Sequence, residues 1–500
     1  MLHSAFCGKV ASRIPPDGQV HGAMSLFTSS RMGPRSRAAL VSLSLACVAL
    51  GLRVAASRGA LWLDEIWSLN WATRISSPVQ ILTTVQHDNN HFLNTLYLFL
   101  LGSGWPWFTY RLLSVAAGVA TVLVAGWIGL RRGRLEQVVA MVLTASSYLL
   151  VHYSSEARGY ALIVFFSFAS YQCLHRFLET QHRVWGGLFT LCSILGFLSH
   201  VAFAQVFIAL MFWSVAGYFS DSELPVLRAR SLGWCLGIPI CVFGLLYLLN
   251  LRHMTLGGGP EYSMPAILLE AMSLTVGGPQ GGVAAVIATL LWLAGVAFGF
   301  REIRSGSCGE WRFFAVVLLV PVLQVLVAQP PFLFVRYFLL ASAFSLLLLS
   351  FALAAWIRRR GLRGGLAVTA ITLFVLANSV HCVQLLRLGR GQYREALQYM
   401  ASTVSSDPVR FASDHPHGNE ILIDYYSQYI MPRRTFIHER AVDWVHQPPH
   451  WLILHRYVTW HEEPAPREYR VDNVTYQLRR EFDCAMLSGW RWRCYQLQPN

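Results

Sequence analysis

Residues 61–69 read LWLDEIWSL: two adjacent carboxylates, Asp64 and Glu65, stand among tryptophans and leucines directly after a long apolar run. A charged side chain costs about 2.5–3.5 kcal/mol at the centre of a membrane helix, so the pair belongs at the end of a span and not within one. On these residues alone two readings are open. Acids favour the first turn of a solvated surface helix, where the dipole stabilises them; ionisable groups held at a membrane face are otherwise candidates for chemistry.

The rest of the chain supports the membrane setting. Of 500 residues, 54% are hydrophobic and 13% charged, with a mean hydropathy of +0.43, well outside the range of soluble domains. The net charge of +14 comes as short arginine clusters between apolar stretches. It forms no aromatic-interleaved basic patch, which argues against a nucleic-acid partner. The ten cysteines show no CxxC or Cys/His spacing for structural zinc.

Crossing a hydrocarbon core takes about 20 apolar residues. Stretches of that kind lie at 38–57, 108–130, 136–153, 159–178, 184–204, 203–220, 232–251, 282–300, 312–329, 334–356 and 364–385. These eleven predicted spans make the chain an α-helical polytopic membrane protein; the fifth and sixth share one run, broken near Ser199 and His200. Every second connection carries arginines: Arg31, Arg35 and Arg37, then Arg131, Arg132 and Arg134, then Arg176 and Arg183, Arg228 and Arg230, Arg301, Arg304 and Arg312, and Arg358 to Arg360 with Arg363. Arginine retains short loops on the cytoplasmic side, so the N-terminus is expected inside.

Three segments follow: a disordered cytoplasmic arm over 1–37, a membrane domain over 38–386 with its first outer loop at 58–107, and a soluble α/β domain over 387–500 on the outer face. In the last, HWLILHRY and TYQLRREF read as strands between turn signals. Cys484 and Cys494 share this domain, where an oxidising compartment would permit a short disulfide loop.

The same outer face gathers further polar groups. VQHDNNHFLNTLYLF, 85–99, sets His87, Asp88 and His91 before an amphipathic run suited to an interfacial helix. YSSEARGYAL, 153–162, carries Glu156, Arg158 and Tyr160; LSHVAF carries His200; QPPFLFVRYFL carries Arg336 and Tyr337. Singly, each has an ordinary structural reading, such as a Glu156–Arg158 ion pair or an interfacial tyrosine belt. Together they mark one face.

The ordered motifs LDEIW, HDNNHFLNTLYLFLLG, YRLLS, RRGR, SSEARGYAL, LSH, FVRYFL and YREALQYM resemble bacterial glycosyltransferases of the GT-C superfamily, more narrowly the protein O-mannosyltransferase-like, Rgt-type branch. Where that branch carries His-Pro-Pro-Leu-Tyr, this chain has HFLNTLY. The resemblance implies a GT-C fold and an inverting hexosyltransferase of the bacterial inner membrane. It implies a polyprenyl-phosphate-linked sugar as donor and a lipid, glycan or protein of the cell envelope as acceptor, on the periplasmic side. It assigns Asp64 as general base and Glu65 to a supporting, acceptor-orienting or metal-binding role. Arg158 and Arg336 are then the phosphate ligands, and His87, Asp88, His91 and His200 are candidates for the acceptor or a divalent cation, whose requirement stays open. Different classes compete with this reading: a transporter or flippase, or a polysaccharide-assembly subunit. A secondary transporter is expected to show inverted repeats and broken helices with charges near the midplane, whereas these spans are nearly free of acids.

Overall fold

The computed structural model describes residues 34–220, 226–259, 263–304, 309–439, 448–459, 463–471 and 474–498. The expected N-terminal arm lies outside them up to residue 33. Helix α1 (Pro34–Ala56) is followed by a loop holding α2 (Leu63–Arg74), the single turn α3 (Gln80–Thr83) and α4 (Phe92–Leu101). The bundle continues with α5 (Trp107–Leu130), α6 (Arg134–Ser146), α7 (Tyr148–Tyr153), α8 (Tyr160–Thr180), α9 (Arg183–Ser199), α10 (Phe203–Ser220) and α11 (Val226–Leu249). A short loop helix, α12 (Met264–Thr275), precedes α13 (Gly282–Arg304), α14 (Trp311–Ala328), α15 (Leu339–Arg358) and α16 (Gly361–Leu388).

Among the described residues, eight helices are long and apolar enough to cross a membrane. The pair α6–α7 and the shorter apolar helices α9 and α10 fill the remaining expected positions. The chain is thus a multi-pass membrane protein. Helix α15 is apolar all round and buried over most of its length, the pattern of a central helix. Its small residues admit close neighbours: Trp292 Nε1 donates to Ser345 Oγ at 3.0 Å, and Thr275 Oγ1 to Ser342 Oγ at 2.8 Å. Peripheral helices instead expose Leu290, Leu291, Leu326 and Leu373, an apolar coat suited to lipid.

The third expected span is not continuous. It breaks at Ser147, whose φ of −57° and ψ of 119° leave the helical region, and a break releases backbone groups that hydrocarbon cannot satisfy. Two distant side chains satisfy them. Arg53 of α1 donates Nη2 to the Thr144 carbonyl and Nη1 to that of Ala145, each at 3.3 Å, while Asn378 Oδ1 of α16 accepts the Tyr148 N–H at 2.7 Å.

Beyond α16 come α17 (Tyr393–Thr403), β1 (Val409–Ser413), α18 (Pro416–Ser427), β2 (Phe436–His438), β3 (Trp451–Arg456), β4 (Glu468–Val471), β5 (Val474–Phe482) and β6 (Arg491–Leu497). The strands form one sheet in the order β2-β1-β3-β6-β5-β4, parallel at β1 with β2 and β3 and antiparallel elsewhere. The two runs read as strands are β3 and β5. Central β3 is covered on both faces: Trp451 and Ile453 join a core with Leu397 and Ile423, and Leu452 and Leu454 join Tyr476 and Tyr495. The expected disulfide is not formed. Cys484 and Cys494 are both buried thiols, and Cys494 packs in the apolar core with Trp451 and Ile453.

That same core runs on into Leu63, Ile66 and Leu69 of α2, so the sheet domain rests on the loop that carries LWLDEIWSL. Tyr426 of α18 donates its hydroxyl to the Leu61 carbonyl at 2.6 Å. At Gly489 a Cβ would fall 1.8 Å from the Arg390 carbonyl oxygen; only glycine lets the β5–β6 connection pass so close to the end of the bundle.

Candidate active site

Asp64 and Glu65 occupy the first turn of α2 and point to different places, as residues about 100° apart on a helix must. Glu65 turns inward. Its side chain is fully buried and grips Arg111 of α5 through two contacts, Nε to Oε1 at 2.7 Å and Nη2 to Oε2 at 2.5 Å. Its oxygens also accept the backbone N–H of Trp62 at 3.1 Å and of Ala157 at 2.7 Å. Arg111 in turn binds the carbonyls of Ser57, Gly59 and Ala60 at 2.6–2.9 Å. This buried pair locks α2, α5 and the 154–159 loop together, and Glu65 does not reach the cavity described below.

Asp64 faces that cavity. Its Oδ2 lies 2.8 Å from Arg158 Nη1 and 3.8 Å from Arg336 Nη1, and its side chain keeps 18% exposure. Arg158 is held from several sides. Its Nη2 donates to Asn89 Oδ1 at 2.5 Å, and Asn89 Nδ2 donates to the Asp64 carbonyl at 2.8 Å and to Ser68 Oγ at 3.0 Å. The guanidinium also sits over the rings of Tyr160, at 4.8 Å, and Trp62, at 5.3 Å, favourable cation–π placements. Its Nε has no hydrogen-bond partner among the described residues. Arg336 rests 3.7 Å over Phe334.

These groups line a cavity of about 170 Å³. Of the residues expected at the site, Asp64, His87, Asp88, Arg158 and Arg336 are on its wall. His87 Nδ1 stands 2.7 Å from Asp88 Oδ1. Burial pushes the Asp88 carboxyl up, but the hydrogen bond and charge of His87, the Gly257 backbone and the charge of Arg158 outweigh it and hold the group below the usual range.

His91, Tyr160 and His200 stand behind the arginines. The His91 ring is 4.7 Å from His200 and 5.3 Å from Tyr160, centroid to centroid. The packing admits only glycine at 159, where a Cβ would fall 2.2 Å from the Ser199 carbonyl oxygen. Burial and the charges of Arg158 and Arg336 push the His200 imidazole down to about 3, and burial, His200 and the same arginines hold His91 well below its ordinary value. Both rings are neutral around pH 7. Tyr337 packs 5.9 Å from Phe334, off the cavity wall.

Glu156 is placed otherwise than the sequence suggests. It is fully buried, bound by His152 Nε2 at 3.1 Å, Arg390 Nε at 3.2 Å and the Ser488 hydroxyl. It forms no pair with Arg158, whose partner is Asp64, and an acid so enclosed has no route to a substrate. The structure adds a roof that the sequence does not announce: His415, His417, Tyr457 and Trp490 of the sheet domain close the cavity above Asp64. His417 lies 5.6 Å from Trp67, and Trp490 lies 4.8 Å from His415, between ring centroids. Asn89 stands next to Asp88 in the HDNNH stretch and could have been picked from that, but nothing in the composition of the sheet domain singles out its four residues. Among the described residues no three His, Cys, Asp or Glu side chains are grouped to hold a metal ion.

No protein-family model matches the chain, and no curated protein sequence matches it. Solved structures do. The fold is similar to that of ArnT from Cupriavidus metallidurans in the apo state, with a TM-score of 0.51 at 13% identity over 84% of this chain and 93% of that one. The same protein bound to undecaprenyl phosphate aligns with a TM-score of 0.48 at 14% identity, over 85% and 94% of the two chains. With the helical bundle and its terminal sheet domain, the first likeness gives the chain the GT-C fold.

Proposed function

We propose that the protein is an inverting membrane glycosyltransferase that takes a sugar from a polyprenyl-phosphate carrier and passes it to a hydroxyl of a cell-envelope lipid, glycan or protein. The observation that carries this is Asp64 held between Arg158 and Arg336 on the wall of one cavity. Asp88, on the same wall, pairs with His87 and with neither guanidinium, so of the two guanidinium charges Asp64 compensates one and the other is open to a ligand. A phosphodiester-linked sugar brings one negative charge, which matches it.

In the step itself, Asp64 takes the proton of the acceptor hydroxyl as its oxygen bonds to the anomeric carbon. The bond from that carbon to the phosphate oxygen breaks, and its electron pair leaves with the phosphate. A single displacement inverts the centre. Asp64 is then neutral, the two arginines face a phosphate monoester bearing up to two negative charges, and the charges match again. Proton uptake and phosphate departure therefore stabilise one another. Arginine suits the task because its planar fork grips phosphate oxygens in pairs.

The cavity stands at the end of the bundle where α8 and α15 begin, and the arginines at the ends of α5 and α15 stand at the other end. By the positive-inside rule the sheet domain and the site face the periplasm of a bacterial inner membrane. Glu65 serves as a positioning residue that fixes the first turn of α2. The test is purified protein in nanodiscs with a panel of radiolabelled polyprenyl-phosphate sugars, scored for donor consumption. Consumption of one donor, abolished by Asp64→Asn, is the expected result; a wild-type protein that consumes none overturns the reading.

A further inference from the structure

Five glutamates are buried among the described residues: Glu65, Glu136, Glu156, Glu270 and Glu310. Four have a cationic partner, namely Arg111, Arg358, Arg390 and Arg132 in that order, omitting Glu270. Among the described residues Glu270 has only an amide: Gln280 Nε2 donates to its Oε1 at 2.9 Å and to the Val458 carbonyl at 3.2 Å. A buried carboxyl without a cation is unfavourable when charged, and burial, opposed by the Gln280 hydrogen bond, pushes this one up to about 7.

Glu270 faces a side chamber of about 50 Å³ lined also by Tyr153, Gln280, Phe334, Tyr457 and Leu487. Phe334, Tyr457, Leu487 and Gly489 belong equally to the reaction cavity, so the two spaces adjoin. The chamber lies behind the rings that carry the arginines. Arg336 sits over Phe334 at 3.7 Å; Arg158 sits over Tyr160, whose ring is 5.1 Å from that of Tyr153.

We propose that this chamber receives one edge of the donor's sugar, whose ring stands in the adjoining reaction cavity, and that the Glu270 carboxyl hydrogen-bonds a hydroxyl or ammonium substituent on that edge. The inference rests on the transferase reading. A donor sugar hangs from its phosphate by one ester oxygen, so it fills the cavity beside the two arginines and its far edge reaches the chamber that adjoins that cavity. Gln280 occupies one carboxyl oxygen and leaves the other for a ligand. A hydroxyl both donates to that carboxyl and, when it is neutral, accepts from it; an ammonium group supplies the missing cation. Phe334 and Tyr457 line the chamber beside the polar Glu270 and Gln280, the mixed lining of a small-molecule pocket.

The test compares wild type and Glu270→Gln in nanodiscs, measuring affinity for sugar-free polyprenyl phosphate, for a panel of polyprenyl-phosphate hexoses and for their amino-hexose counterparts, together with the melting temperature. The variant is expected to bind sugar-free polyprenyl phosphate as wild type does and to lose about tenfold for the preferred sugar-linked donor, the value of one hydrogen bond to an ionisable group. A loss confined to the amino-hexose identifies an ammonium; a loss on the neutral hexose identifies a hydroxyl. The melting temperature is expected to hold or rise, because an amide relieves the uncompensated carboxyl. An unchanged preference for sugar-linked over sugar-free lipid, or an equal loss for both with a lower melting temperature, overturns the subsite. A wild type that binds no polyprenyl phosphate of any kind overturns the transferase reading instead.

Discussion

Arg390, two residues beyond the last membrane helix, lies buried with its Nε 3.2 Å from Glu156 Oε1. Its Nη2 also donates to the His152 carbonyl and the Ser155 hydroxyl, each at 2.9 Å, and its Nη1 to the Ala56 carbonyl at 3.2 Å. One guanidinium thus fastens the start of the sheet domain to α1, α7 and the loop that carries Arg158. Removing it strands a buried carboxylate, which costs about 3–5 kcal/mol. Arg390→Met is expected to lower the melting temperature and to open the sheet domain to limited proteolysis, and Glu156→Gln added to it is expected to recover part of the loss. A single variant as stable as wild type would refute the fastening.

Acid should loosen the same joint. Burial pushes the Glu156 carboxyl up, but the hydrogen bond and charge of His152 and the charges of Arg390 and Arg158 prevail and hold it well below its ordinary value of 4.5. A carboxyl depressed in the folded state contributes stability that is complete above the unfolded value and lost as pH falls beneath it. Thermal melts of wild type are therefore expected to drop below about pH 4.5, and those of Glu156→Gln to drop less.

His200 acts in a higher window. Its imidazole is pushed down to about 3, so between that value and its ordinary 6.5 the unfolded chain binds a proton that the folded chain refuses. Stability falls through that window as pH falls. His200→Asn is expected to flatten the slope of melting temperature between about pH 6.5 and 5; an unaltered slope would place the titration elsewhere.

Under the proposed reaction, Asp64→Asn keeps the shape of the side chain but accepts no proton. Turnover is expected to fall by about 10²- to 10⁴-fold. The amide also imitates the neutral Asp64 of the product state, so polyprenyl phosphate should bind as tightly as to wild type or tighter. Retained turnover would remove Asp64 as base, and weakened phosphate binding would refute the charge balance.

Lysine in place of either arginine preserves charge and loses the fork. Arg158→Lys also forfeits the contacts to Asn89, Trp62 and Tyr160, so it should cost more than Arg336→Lys, by about tenfold in kcat/KM. Equal and small effects would assign both to structure.

How much of this could be read from the chain follows from what each residue must satisfy. The spans were legible because lipid imposes one rule, apolarity over a fixed length, wherever a helix crosses. That Asp64, Arg158 and Arg336 share one end of the bundle is legible because ionisable groups at a membrane face are costly and so conspicuous. His415, His417, Tyr457 and Trp490 were not, since such residues are ordinary in a soluble domain and acquire meaning only where docking on α2 aims them. Glu156 misled for a related reason: its partner, Arg390, is 234 residues away. The break at Ser147 carries no proline or glycine, and nothing local announces it.

That break also sets an order of biosynthesis. The third crossing leaves the ribosome long before α16, yet the Tyr148 N–H finds its acceptor in Asn378, 230 residues further on. Until then the segment must either run on as an unbroken helix or keep water at the gap, because hydrocarbon leaves a bare amide unsatisfied. The loop with Arg158 follows this segment directly, so α16 helps to fix where that loop begins. A chain that has not yet added α16 therefore lacks the acceptor that closes this break.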